Sequence, residues 1–194
     1  VLRIFVILLG GVFLAESVFA ADDLIGDPAV GRKLASQCRT CHGLDGYAKI
    51  PIAPHIGGEP ASYISGQLKA FRSGERKHEM MTVVAATLDE QKIVDVAAWY
   101  ASLEAKAITP EDIDLRKKPE VCVTCHGEDG ISLAMDAPNL AAESIVYIST
   151  QLKAFRNGKR KHPVMTAIAA NLSDEDIRAV SKWYSAIELK INTP

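Results

Sequence analysis

All four cysteines of this 194-residue chain fall in two copies of one pentapeptide, Cys38-Arg39-Thr40-Cys41-His42 and Cys122-Val123-Thr124-Cys125-His126. The copies begin at positions 38 and 122, and the same offset of 84 relates Pro54 to Pro138, Tyr63 to Tyr147, Met81 to Met165 and Trp99-Tyr100 to Trp183-Tyr184, with no gap between. Repeats of roughly 20–50 residues indicate solenoids. This one is longer and occurs twice, and each copy carries its own cysteine–histidine cluster, so the chain is read as a duplicated domain.

Cys-x-x-Cys-His is the attachment signature of c-type haem. Two thiols on one helical turn can bond the two vinyl groups, and the adjacent histidine reaches the iron. Three other uses of such cysteines compete. A redox dithiol needs no histidine at the next position. A zinc site would bring the two pairs onto one metal, whereas here each pair lies in its own repeat. A disulfide framework suits a much shorter secreted chain. Two covalently bound haem c groups, attached through Cys38, Cys41, Cys122 and Cys125, are the expected cofactors.

The first segment has Arg3, an apolar run from Ile4 to Leu14, and Val18-Phe19-Ala20 before Ala21-Asp22-Asp23. That order describes an export signal over residues 1–20 with cleavage after Ala20. The run is short for a membrane span and Glu16 interrupts it; a retained anchor is the alternative. The expected domains are residues 21–106 and 107–194, with a short linker near Ala105 to Glu111. A formal net charge of −2 points to no nucleic-acid partner.

Each copy reads as helical. Asp27-Pro28 is an N-cap followed by proline at the first helical position, and that helix runs through Val30, Leu34 and Ala35 towards Cys38. Tyr63, Ile64, Gln67, Leu68 and Phe71 recur at helical spacing up to Gly74, and a last helix follows Asp89, with its counterpart following Ser173. No convincing alternating strand is present. Pro119 stands where the first copy has Ala35, and Leu115 where it has Gly31, so the entry helix of the second copy is expected to be shortened or displaced.

Adjacency to the cysteines makes His42 and His126 the candidate iron ligands on one side. Met81 and Met165 are the candidates on the other: they repeat in register within Met-Thr-x-x-Ala-Ala-x-Leu, and are expected in a loop before the last helix. Met80 pairs with Val164, Met135 with Pro51 and His55 with Asn139, so none of these has a matching ligand. His78 and His162 also repeat, three residues before the methionines, and are the alternative ligands, giving bis-His iron; they lie inside the basic strings Arg76-Lys77-His78 and Arg160-Lys161-His162, which read as solvated surface or as steering sites for acidic partners.

The haem motif, the proline twelve residues after the histidine, and the late methionine resemble class I cytochrome c domains. Two in tandem, each with Tyr-Ile-Ser-x-Gln-Leu-Lys-Ala-Phe-Arg-x-Gly, resemble the dihaem cytochrome c4 family. The resemblance implies an all-α fold of two tandem cytochrome c domains meeting about a pseudo-two-fold axis. It implies that the Pro54 and Pro138 carbonyls accept from His42 and His126, and that Tyr63, Arg72, Tyr147 and Arg156 contact propionates. It further implies a periplasmic electron carrier, not an enzyme, working between a cytochrome bc1-type donor and a terminal oxidase or a dehydrogenase. Membrane association would come through residues 1–20 or a membrane-bound partner. Two alternatives stand beside it: a cytochrome subunit of a dehydrogenase such as a flavocytochrome c sulfide dehydrogenase, and a dihaem enzyme.

Overall fold

A computed structural model describes residues 24–193; the export signal expected at residues 1–20 lies outside them. In the first copy α1 (Pro28–Leu34) opens on Asp27, whose carboxylate accepts from the amides of Ala29 and Val30. A 3-10 turn (Ala35–Gln37) then leads into α2 (Arg39–His42). After a long loop come α3 (Ala61–Ser73), α4 (Glu79–Ala86) and α5 (Glu90–Ala101). α3 stops at Gly74, whose φ of 79° is the left-handed conformation that favours glycine.

The second copy repeats this with α6 (Glu120–His126), α7 (Ile145–Arg156), α8 (Pro163–Ala170) and α9 (Asp174–Ser185). It has no counterpart of α1. A 3-10 turn at Leu115–Lys117 stands there, Pro119 is the N-cap of α6, and Leu115 is 66% exposed. In the first copy Gly31 lies so close to α5 that a Cβ would meet the Asp95 carbonyl oxygen at 1.9 Å. Leucine in that place cannot approach a helix backbone in the same way.

Two features differ from the sequence expectation. Met81 and Met165 do not sit in loops: each lies in the first turn of an eight-residue helix, α4 or α8. The expected linker is also partly a strand. β1 (Glu104–Ile108) pairs antiparallel with β2 (Glu188–Asn192), so each copy ends on a strand and the two strands pair with each other. Lys106 faces its own repeat counterpart, Lys190, which places the pseudo-two-fold axis between them. Glu-Ala-Lys-Ala-Ile carries little β-propensity, so only the partner strand stabilises the extended form.

One apolar cluster gathers Ile64, Leu68, Ile93, Val96, Trp99, Tyr100 and Leu103. A second gathers Ile148, Leu152, Ile177, Trp183, Tyr184, Ile187 and Leu189. Tyr47 of the first copy packs against the second cluster, and Ile191 packs against both. Among the described residues no helix is long and apolar enough to cross a membrane.

Candidate functional site

Each cysteine pair spans a single helical turn. Cys38 caps α2 and Cys41 lies within it, while Cys122 and Cys125 lie in α6. All four thiols are unpaired and half-buried. Burial pushes the Cys122 thiol up to about 11 and raises Cys38 as well. A redox dithiol needs the opposite shift, towards thiolate. Cys38 packs on the first apolar cluster and Cys122 on the second, so the pairs do not share one metal.

The two histidines are held alike. His42 Nδ1–H donates to the Pro54 carbonyl at 2.9 Å and His126 Nδ1–H to the Pro138 carbonyl at 2.7 Å. With the proton on Nδ1, the lone pair sits on Nε2, the nitrogen left to coordinate a metal. Both rings are at least nine-tenths buried. Burial lowers their proton affinity, against the opposing pull of the proline carbonyls, so both stay neutral, as coordination requires. Met81 packs against the first cluster and Met165 against the second. Met80 is 60% exposed. His78 and His162 cap helices: their Nδ1 atoms accept from the Met81 and Met165 amides at 3.4 and 3.3 Å, which makes them the N-caps of α4 and α8. Paired thiols on one turn, an imidazole with Nε2 free and a thioether at a capped helix start are donors suited to haem c.

Arg72 and Arg156, expected at propionates, tie α3 and α7 to the loops before α5 and α9. Arg72 Nη1 donates to the Leu88 carbonyl at 3.0 Å and pairs with Glu90; Arg156 Nη1 donates to the Leu172 carbonyl at 2.9 Å and pairs with Asp174. Arg76 and Arg160, expected in solvated strings, are half-buried between the two copies. Arg76 reaches Gln67 at 2.6 Å, Gln151 at 2.8 Å and the Tyr147 hydroxyl at 3.3 Å. Arg160 reaches Gln151 at 2.7 Å, Gln67 at 2.8 Å and the Tyr63 hydroxyl at 3.2 Å. Tyr63 and Tyr147 thus join this crossed clamp.

Sequence reasoning missed a second set of seam residues, Glu59 and Glu143, which are 3% and 2% exposed. Both Glu59 oxygens accept from the Asn139 amide at 3.1 and 3.0 Å, and Glu143 Oε1 accepts from the His55 amide at 2.8 Å. Beside them, His55 Nδ1 accepts from Ala48 N–H at 2.9 Å and its Nε2–H donates to the Ala142 carbonyl at 3.0 Å. Asn139 makes the corresponding bonds, Oδ1 to Ser132 N–H at 2.8 Å and Nδ2–H to the Gly58 carbonyl at 3.1 Å. The signal was in the repeat: Glu59 and Glu143 stay glutamate while the residues on either side of them change.

Several known proteins resemble this chain over most of its length. A family model described as cytochrome c oxidase, cbb3-type, subunit III matches residues 117–183. Cytochrome c4 of Thiocapsa roseopersicina is 34% identical over 188 residues, covering 87% of this chain and 96% of that protein. A thiosulfate dehydrogenase electron acceptor of Stutzerimonas stutzeri is 32% identical over 176 residues, covering 80% of this chain and 81% of its own. Among solved structures, reduced cytochrome c4 from Pseudomonas stutzeri matches with a TM-score of 0.74 at 25% identity, covering 84% of this chain and 100% of that one. Similarity of this extent runs through both copies of the repeat, and on that ground the chain belongs to the cytochrome c4 family of electron-transfer proteins carrying two haem c groups.

Proposed function

We propose that this protein is a periplasmic shuttle in which His42 with Met81, and His126 with Met165, would hold the irons of two haems bound through Cys38 and Cys41 and through Cys122 and Cys125. Haem c supplies a one-electron couple at each site. The chain's part is to fix the ligands. The Pro54 and Pro138 carbonyls hold each ring in one tautomer and orientation. The His78 and His162 caps pin the first turns of α4 and α8, and with them the methionines. The thioether is a soft neutral donor, so it favours the ferrous state relative to a second imidazole. With a histidine and a methionine both holding the iron, a bound haem would have no position open to a substrate, which favours a carrier over an enzyme. The units doing this are residues 21–106 and 107–194, and residues 1–20 direct export to the periplasm.

The observation carrying this reading is the matched pair of neutral, Nδ1-anchored histidines, each beside its own cysteine pair. A cytochrome donor and a terminal oxidase are the proposed partners. A thiosulfate-oxidising enzyme is a second donor, favoured by the relative that accepts electrons from thiosulfate dehydrogenase. Met81→Ala and Met165→Ala test the ligation. Each is expected to abolish, for one haem of the two, the weak long-wavelength ferric band of a methionine–iron bond and to lower that haem's potential. An unchanged spectrum in both variants would refute the assignment.

A further inference from the structure

One peptide unit in each copy is engaged on both sides at once. The carbonyl of the Pro54–His55 peptide accepts from His42 Nδ1–H at 2.9 Å, while its N–H donates to Glu143 Oε1 at 2.8 Å. The Pro138–Asn139 peptide does the same, its carbonyl 2.7 Å from His126 Nδ1 and its N–H shared between the two Glu59 oxygens. Each carboxylate therefore belongs to the half of the molecule opposite the histidine it reaches. A carboxylate that accepts an amide N–H pushes electron density onto the carbonyl of the same peptide. That carbonyl then accepts more strongly from Nδ1–H, and the ring becomes a stronger donor at Nε2.

We propose that Glu143 sets the donor strength of His42 and Glu59 that of His126, across the seam, and that each carboxylate binds a proton when the opposite site is reduced. The inference rests on the haem reading above. A charged carboxylate favours the ferric state, so by reciprocity the gain of an electron raises the carboxyl's proton affinity. The redox partner delivers the electron to the iron and solvent water supplies the proton; reoxidation returns both.

The surroundings allow such a proton. Neither glutamate makes a salt bridge among the described residues. Glu143 Oε2 is buried with no hydrogen-bond partner. Burial and the neighbouring Glu59 carboxylate hold the Glu143 carboxyl well above its ordinary range, against the His55 and Ser144 amides. Burial does the same to Glu59, against the Asn139 amide. Tyr63 lies beside Glu59, with Arg160, Tyr147 and Arg76 around that hydroxyl. His55 faces Asp45, Lys49 and His42. Burial lowers its proton affinity, against the Ala142 carbonyl, and its Nδ1 lone pair is committed to Ala48 N–H, so it offers no compensating charge.

The test uses the full haem-loaded protein and the variants Glu143→Gln and Glu59→Gln. Both potentials are titrated from mildly acidic to mildly alkaline pH, and the couples are assigned to halves by the methionine resonances that Met81→Ala and Met165→Ala remove. Glu143→Gln is expected to raise the His42 couple and flatten its pH dependence; Glu59→Gln is expected to do so for the His126 couple. The shift should be roughly tenfold in ferrous-to-ferric ratio, the low end for losing an outer partner at a metal site, or about 59 mV for one electron. The Nδ1–H resonance of the same ring should move with it. A shift confined to the variant's own half, an equal shift in both halves, or none would overturn the proposal. Should the variants fail to fold, redox-difference infrared spectra of wild-type protein labelled at glutamate decide: a carboxyl stretch gained on reduction is expected, and its absence at every pH overturns it. Two haems per chain and the outcome of the methionine variants speak only to the site reading, so the two failures are distinct.

Discussion

Replacing Arg160 with alanine removes three hydrogen bonds from a charged donor, to Gln151 at 2.7 Å, Gln67 at 2.8 Å and the Tyr63 hydroxyl at 3.2 Å. It also removes a guanidinium seated 4.5 Å from the Phe155 ring centroid. Hydrogen bonds to charged groups contribute about 1.5–3 kcal/mol each, and a cation–π contact at a partly exposed site about 0.5–1 kcal/mol. The side chain is half-buried and water can re-solvate the partners, so the sum has to be discounted heavily. The expected loss is about 2–4 kcal/mol. Arg76→Ala should cost a similar amount, because that side chain makes the mirror set of contacts and lies 4.5 Å from the Phe71 ring. Both arginines donate to the same two glutamine oxygens. The double variant should therefore differ from the sum of the singles by about 1 kcal/mol or more, where independent sites agree within about 0.5 kcal/mol. Urea unfolding of the haem-loaded protein gives all four corners of the cycle. The double variant is also expected to show a lower slope or two transitions as the halves uncouple. Additive effects, or single losses below about 0.5 kcal/mol, the range of ordinary surface substitutions, would refute the clamp.

Gly31→Ala should destabilise the protein by about 1–3 kcal/mol, since its Cβ would be driven into the Asp95 carbonyl and overpacking of this kind carries that cost. Leu115→Ala, at the same place in the second copy, should stay within about 0.5 kcal/mol of wild type, and urea midpoints separate the two outcomes. His55 is buried and neutral, with its proton affinity lowered by burial. Above about pH 6.5, the ordinary histidine value, folded and unfolded chains are both neutral there. As pH falls below that value, the unfolded chain takes up a proton first and stability is lost down to the lowered folded value. His55→Asn should keep the fold, as Asn139 does at the matching position, and should remove that slope; an undiminished slope in denaturation followed against pH would count against the assigned tautomer.

What could be read from the chain alone was whatever depends on local order. The cysteine–histidine pairs, the Asp27, Asp89 and Ser173 caps and the helix stop at Gly74 all carry their reasons within a few residues. The truncated entry to the second copy followed from Pro119 and Leu115. The misses depend on the other half of the molecule. β1 has no strand-forming sequence until β2 lies beside it. Arg76 and Arg160 look like surface charges until Gln151, Gln67 and the two tyrosines are brought to them. The α4 and α8 starts were hidden for another reason: the capping residue is histidine, whose Nδ1 takes the place of a serine or aspartate oxygen.

Divergence between the copies follows the same division. The contacts of α1 stay within one copy, where the Asp27 amide meets the Asp95 carboxylate at 2.8 Å and Arg32 lies over Trp99. They could be lost from the second copy without consequence for the first. Contacts at the seam take one member from each half, so a change in one copy alters the surroundings of both. Ser62 on the Met135 carbonyl at 2.5 Å and Ser144 on the Pro51 carbonyl show how far a seam contact can drift, since the two serines are not repeat counterparts but their acceptors are. His55 and Asn139 show the same limit in another form. The residue type has changed, yet each presents one acceptor to a backbone amide and one N–H to a carbonyl across the seam. Chemistry at that position is fixed by bonds to be made, and any side chain offering that acceptor and that donor at the same separation satisfies it.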